Sequence, residues 1–151
     1  MNKEEALSHA ILLASKAHAG QFDKGGKPYI LHPLHLMSQL LFDTELATIA
    51  VLHDTIEDSS LTIKKLRAIG FSNRVLEALD LLTHKTHQDY LLDYIPAIAT
   101  NIDAIRVKRK DLEHNSDITR LRSLREKDFA RLEKYSRAFH YLTRAKENHA
   151  K

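Results

Sequence analysis

Apolar residues in this chain recur at helical spacing from end to end, and nowhere do they alternate as a half-buried strand requires. Leu7, Ala10, Ile11, Ala14, Ala17 and His18 form one stripe, which predicts a helix over about residues 3–19, stopped by Gly20. His32-Pro33 opens a second helix, with Leu34, Met37, Leu40 and Leu41 turned inward. Asp43-Thr44 caps a third, which runs on to Ser59. Thr62, Ser72 and Asn101 cap later helices, and Pro96 should kink or break another. The last helix, from about Glu126 to Lys146, carries Phe129, Leu132, Tyr135, Phe139 and Leu142 on its core side and charges on a solvated side. With short connections and no internal repeat, these elements predict an all-α fold, one domain over residues 1–151.

Composition narrows the class. Hydrophobic content of 43% and charged content of 28% are ordinary for a soluble globular protein. There is no cysteine, so disulfides and thiolate metal sites are excluded, and a cytoplasmic location is expected. No apolar run approaches the length of about 18 residues that a membrane span needs, and the N-terminus does not read as a signal peptide, so no membrane partner is expected. Residues 101–151 hold 14 Lys/Arg against 8 Asp/Glu, a bias that can attract phosphorylated ligands. The interleaved aromatic and glycine motifs of RNA-binding domains are missing, so nucleic acid is not the expected ligand. Whether the chain forms a homo-oligomer is not fixed by its residues.

Chemistry concentrates at residues 51–58. His53, Asp54, Glu57 and Asp58 lie within six residues at the end of an apolar helical run. Leu46, Ile49, Ala50, His53 and Glu57 fall on one helical face, with Asp54 and Asp58 on the adjacent stripe. So much charge on one side of a helix is costly to bury without a counter-ion. An adjacent imidazole and carboxylate are a plausible pair of metal ligands, although the same residues could equally form a solvated helix end. Upstream, Gly25-Gly26 and Pro28 make a loop bearing Lys24 and Lys27, both able to reach a phosphate. Downstream, Ala104, Lys108, Asp111 and Asn115 share one face of the helix that Asn101 caps.

Taken together, His32, His53-Asp54 and Asp111 resemble the ligand signature of the HD-domain metal-dependent phosphohydrolases. The likeness sharpens at Ala17-His18-Ala19-Gly20-Gln21, at Lys24, Gly26, Pro28-Tyr29-Ile30 and His32-Pro33, at His53 to Asp58, and from Lys108 to Asn115. In that order these segments resemble the RelA/SpoT-type alarmone hydrolase domain, and the length resembles its stand-alone small members. The resemblance implies a compact helical HD-domain bundle holding one divalent ion, usually manganese (Mn²⁺), on His32, His53, Asp54 and Asp111. It implies a small-molecule nucleotide substrate, with removal of the 3′-pyrophosphate from guanosine tetra- or pentaphosphate. Glu57 and Asp58 match the acidic pair that activates or orients water, and Lys24 and Asn115 match nucleotide contacts. Lys27 and Lys108 complete the expected substrate-binding set. Two imidazoles and two carboxylates suit Mn²⁺, Fe²⁺ or Zn²⁺ on their own chemistry.

Two places depart from that pattern. Asp23 stands where the alarmone hydrolases carry a base-stacking arginine, and Asp117-Ile118 stand where they carry arginine and threonine. A carboxylate at position 23 predicts weaker binding of the guanine nucleotide. The alternatives are an HD phosphohydrolase for another nucleotide or phosphate ester, and a non-catalytic nucleotide-binding module.

Overall fold

A computed structural model describes all 151 residues, Met1 to Lys151. It is built from helices α1 (Lys3–Ala17), α2 (Leu31–Gln39), α3 (Thr44–Leu52), α4 (Thr55–Asp58), α5 (Ile63–Ile69), α6 (Asn73–Leu82), α7 (Ile95–Ile98), α8 (Ile102–Asn115) and α9 (Glu126–His149). A π-helical turn, Tyr90–Tyr94, leads into α7, and a 3₁₀ turn, Ile118–Arg120, lies between α8 and α9. The only extended pairing is one bridge between Phe22 and Pro28. The all-α expectation therefore holds.

Helix α3 is the axis of the fold. Every residue from Leu46 to Leu52 is buried, so the helix is covered on all sides. Helices α1, α2, α6 and α8 pack around it. An apolar helix with no polar face can exist only in such a position. Ala10 and Ala14 let α1 approach closely, while Leu76, Leu79, Ile105 and Leu112 fill the opposite side.

The caps form as the sequence implies. Asp43 accepts the Glu45 and Leu46 amides, Thr62 the Lys65 amide, Ser72 the Val75 amide and Asn101 the Ala104 amide. Gly70 ends α5 at φ 113°, a left-handed conformation that favours glycine. Pro96 falls at the start of α7, where its missing N–H costs nothing.

Three expectations are corrected. Leu41 is 53% exposed, because α2 ends at Gln39 and Leu40 takes the inward position. Phe129 is 57% exposed: α9 meets the core only further along, through Ala138 and Leu142. The helix expected to continue from Thr44 to Ser59 is broken at His53-Asp54. There Thr55 Oγ1 donates to the Leu52 carbonyl and His53 Nδ1 to the Ala50 carbonyl. These side chains take up carbonyls at the end of α3, and the chain turns before α4 starts.

Arg74 joins three helix starts. Its guanidinium grips Asp103 at 2.8 and 2.9 Å, and also reaches Asp43 at 2.7 Å and Glu45 at 3.1 Å. Asp103 is buried, so removing Arg74 strands a carboxylate away from water. Arg74→Met is expected to lower stability by about 1–3 kcal/mol in urea unfolding. Arg74→Lys should recover little of this, because an ammonium cannot form the two-pronged contact.

Candidate metal centre and adjoining cavity

His32 is carried on the first turn of α2, directly before Pro33, and is 1% exposed. Its Nε2 lies 2.8 Å from Asp111 Oδ1 and 4.0 Å from Asp54 Oδ2. His53 is also buried, at the break after α3. Its Nδ1 faces the Ala50 carbonyl at 2.7 Å and must donate, because a carbonyl only accepts. That leaves Nε2 directed at Asp54 Oδ2, 3.0 Å away, and Asp111 Oδ1, 3.4 Å away. His32, His53 and Asp54 offer donor atoms that all lie within 4.8 Å of one another. The structure thus gathers the four residues that the sequence singled out, from α2, the α3–α4 break and α8.

This donor set fits a divalent cation. His53 Nε2 is buried and makes no aligned hydrogen bond, the condition of a lone pair that a metal would use. Burial alone would push the His53 imidazolium down, but Asp54 and Asp111 outweigh it and hold it well above the usual histidine value. Burial likewise resists the charge on Asp54, yet His53 draws its carboxyl down to about 2. The cluster recruits positive charge, and mixed imidazole–carboxylate donors suit borderline to hard metals.

Neighbouring side chains fix the donors. Asp111 Oδ2 accepts Lys108 Nζ at 2.8 Å and Oδ1 accepts Asn115 Nδ2 at 2.8 Å. Lys108 is buried, with its ammonium 5.2 Å from the Tyr94 ring and 5.8 Å from the Tyr90 ring. It was expected to contact substrate; instead its charge is engaged by Asp111. Tyr29 donates its hydroxyl to Asp54 Oδ2. His32 Nδ1 meets His114 Nδ1 at 2.7 Å, and the two rings stack at 5.0 Å. Burial, with Arg120 adding to it, lowers His114 to about 4, so its ring is neutral and can accept a hydrogen bond from His32 Nδ1–H, leaving the His32 Nε2 lone pair turned toward Asp111. Neither Tyr29 nor His114 stands out by spacing; only their distance from the donors reveals them.

Glu57 and Asp58 project from α4, next to Asp54 in the fold. The Glu57 carboxylate accepts the His84 amide. Burial raises its pKa, the His84 amide opposes the rise, and Asp54 adds to it. Asp58 is raised by burial and by Asp54, and lies 4.0 Å from His18 Nδ1. Two carboxyl groups with raised pKa beside a donor cluster are candidates for taking a proton from water.

A cavity of about 300 Å³ adjoins the cluster, lined among others by Phe22, Lys24, Tyr29, Asn115, Arg131 and Tyr135. Burial, then the nearby Arg131, lower the Lys24 pKa, and Lys127 and Lys134 act in the same sense. The charged side of α9 is therefore not simply solvated: Arg131 lines this cavity with Lys24 while paired with Asp128 at 2.6 Å, and Lys127 and Lys134 lie near enough to act on the Lys24 charge, which Asp128 opposes. The spacing of Lys127, Arg131 and Lys134, four and three residues, was the available signal for a shared face. Lys27 lies elsewhere, in a neighbouring cavity with His35 and Arg122, across the loop from Lys24.

An all-helical bundle with histidine and aspartate donors gathered at a helix break is a domain of the HD type. No family model matches the chain. It is 34% identical over 117 residues to a guanosine-3′,5′-bis(diphosphate) 3′-pyrophosphohydrolase of Haemophilus influenzae, covering 69% of this chain and 17% of that protein. It is 32% identical over 152 residues to the bifunctional (p)ppGpp synthase/hydrolase SpoT of Escherichia coli, covering 90% of this chain and 22% of that protein. The chain thus spans about a fifth or less of these curated relatives. A solved structure, described as a metazoan ortholog of SpoT that hydrolyzes ppGpp, matches with a TM-score of 0.75 over 91% of this chain and 84% of that one, at 16% identity. That match is a likeness of fold. The chain belongs to the RelA/SpoT-type family of HD hydrolase domains.

Proposed function

We propose that residues 1–151 act as a single metal-dependent hydrolase domain that removes the 3′-pyrophosphate of guanosine tetra- or pentaphosphate in the cytoplasm. The observation that carries this reading is the buried His53 Nε2, which faces two carboxylates yet makes no aligned hydrogen bond, next to a cavity lined by Lys24, Arg120 and Arg131. The named activities of the relatives support it.

His32, His53, Asp54 and Asp111 would hold one divalent ion, with Mn²⁺ the metal of this reading. Such an ion polarises a phosphoryl oxygen and acidifies a neighbouring water. Lys24 and Arg131 bind the phosphates and neutralise charge as the bond to the leaving group breaks. Glu57 or Asp58 accepts the proton of the attacking water. Water oxygen bonds to the phosphorus nearest the ribose, that phosphorus parts from the ribose 3′-oxygen, and the 3′-oxygen regains a proton. Pyrophosphate and a 3′-hydroxyl nucleotide are the products. Lys108 and Asn115 act on Asp111, which makes their contribution one of positioning.

The test is a panel of phosphorylated nucleotides with Mn²⁺, scored for pyrophosphate against orthophosphate. Release of pyrophosphate from guanosine tetraphosphate, abolished by chelator, is the expected result. Cleavage of another nucleotide or phosphate ester, with the tetraphosphate untouched, would replace the substrate and keep the reaction class.

A further inference from the structure

The loop carrying Lys24 and the 3₁₀ turn after α8 meet at the rim of the cavity. A Cβ built on Gly25 would come within 2.3 Å of the Arg120 carbonyl oxygen, so the two backbones touch and only glycine fits. The contact is closed by a charge pair. Asp23 Oδ1 accepts the Lys27 amide at 2.9 Å, and Asp23 Oδ2 lies 3.5 Å from Arg120 Nη2. Arg120 Nη1 also donates to the His114 carbonyl at 2.8 Å and to Asn115 Oδ1 at 3.3 Å.

Three oxygens therefore engage the edge of the Arg120 guanidinium, and such contacts leave the faces of the plane to other partners. Arg120 lines the same cavity as Phe22, whose ring is 67% exposed. A fixed cationic plane and an exposed aromatic ring are surfaces on which nucleobases stack. Two of the polar groups that could read a base edge are already partly engaged. Asn115 bonds Asp111 with its nitrogen and Arg120 with its oxygen, and Asp117 Oδ1 accepts both the amide and the hydroxyl of Thr119. Stacking between the Arg120 plane and the Phe22 ring is the mode the geometry of this cavity favours.

We propose that Arg120 carries the nucleobase of the substrate, with Asp23 as the positioning residue that holds its guanidinium in place. This deepens the nucleotide-hydrolase reading and rests on it. Arg120 contributes to binding and leaves the chemical step to the metal centre. Asp23 acts as the anchor of the stacking cation, so its carboxylate does not repel the ligand.

The experiment uses the Mn²⁺-loaded chain and two binding probes, guanosine 5′-diphosphate and inorganic pyrophosphate. Arg120→Lys keeps the charge but loses the plane. It is expected to weaken nucleotide binding about 3- to 30-fold, in line with the loss of a cation–π contact, and to leave pyrophosphate binding unchanged. Asp23→Asn should shift nucleotide binding in the same direction by a smaller factor. In turnover of guanosine tetraphosphate, both variants should raise KM and spare kcat. The proposal is overturned if Arg120→Lys binds the nucleotide as tightly as the parent, if it loses both probes equally, or if the parent does not bind the nucleotide. Turnover by the parent with no effect of Arg120→Lys sinks this proposal and leaves the hydrolase reading standing. Arg120-dependent nucleotide binding without turnover does the reverse.

Discussion

Replacing His53 and Asp54 together by alanine is expected to abolish stoichiometric metal binding and to cost about 10³-fold or more in hydrolysis, the several kcal/mol that a lost Lewis acid is worth. His53 supplies a buried Nε2 that makes no aligned hydrogen bond, and Asp54 Oδ2 lies 3.0 Å from it. The double variant keeps only His32 and Asp111 of the four donors, too few to hold an ion at stoichiometric occupancy. The nearby Glu57 carboxylate is engaged by the His84 amide. Elemental analysis after equilibration with Mn²⁺ should find about one ion per parent chain and none retained by the variant. The double variant also loses a buried imidazole, so Asp54→Asn serves as the control that preserves volume. It should weaken metal binding while its far-ultraviolet circular dichroism stays that of the parent. Full metal stoichiometry in the double variant would show that the donors have been misassigned.

Glu57→Gln should separate holding the ion from moving the proton. The glutamine side chain would still accept the His84 amide but could not take a proton from water. Metal content should match the parent, with kcat lower by about 10²-fold or more. The pH dependence follows from the raised pKa of Glu57, caused first by burial. Only the ionised base works, so parental activity should fall on acidification at a higher pH than an ordinary glutamate would give. In the variant that limb should disappear or pass to Asp58. Stability has the opposite sign. Because the folded pKa lies above the unfolded one, ionised Glu57 weakens the fold at neutral pH and does not below the unfolded value. Glu57→Gln should therefore raise the thermal midpoint at neutral pH and leave it unchanged in acid. Parental turnover by the variant across the pH range would transfer the base role to Asp58.

The parts of the fold that were legible in the sequence are those decided within a few residues. Asp43, Thr62, Ser72 and Asn101 cap helices because their side chains reach amides two or three positions on. The break at His53-Asp54 was hidden, because the competing bonds from His53 and Thr55 mimic helical spacing in sequence. Periodicity identified which side of α9 is apolar, but only its distal part meets the core, at Ala138 and Leu142. It gave no sign that a loop about a hundred residues earlier would bring Lys24 against the opposite side. The proposed metal donors stand out in the sequence through their resemblance to a family and their chemistry. The partners that orient them, Tyr29 and His114, depend on contacts between distant segments. The pairing of Asp23 with Arg120 could not be read from spacing, because Arg120 lies far along the chain, beyond α8.

The burial of α3 on every side divides the site into a stiff part and a compliant part. His53 and Asp54 follow directly from the helix with the least room to move, and His32 and Asp111 stand on helices packed against it. Part of the cavity lining comes from the loop at residues 21–29 and the turn at 118–120, which meet through the polar contacts of Asp23 with Arg120 and of Gly25 with Arg122, and part from α8 and α9. Local opening draws on the least buried segments first. Hydrogen exchange is therefore expected to be faster in that loop and turn than in α3, next to the donor atoms.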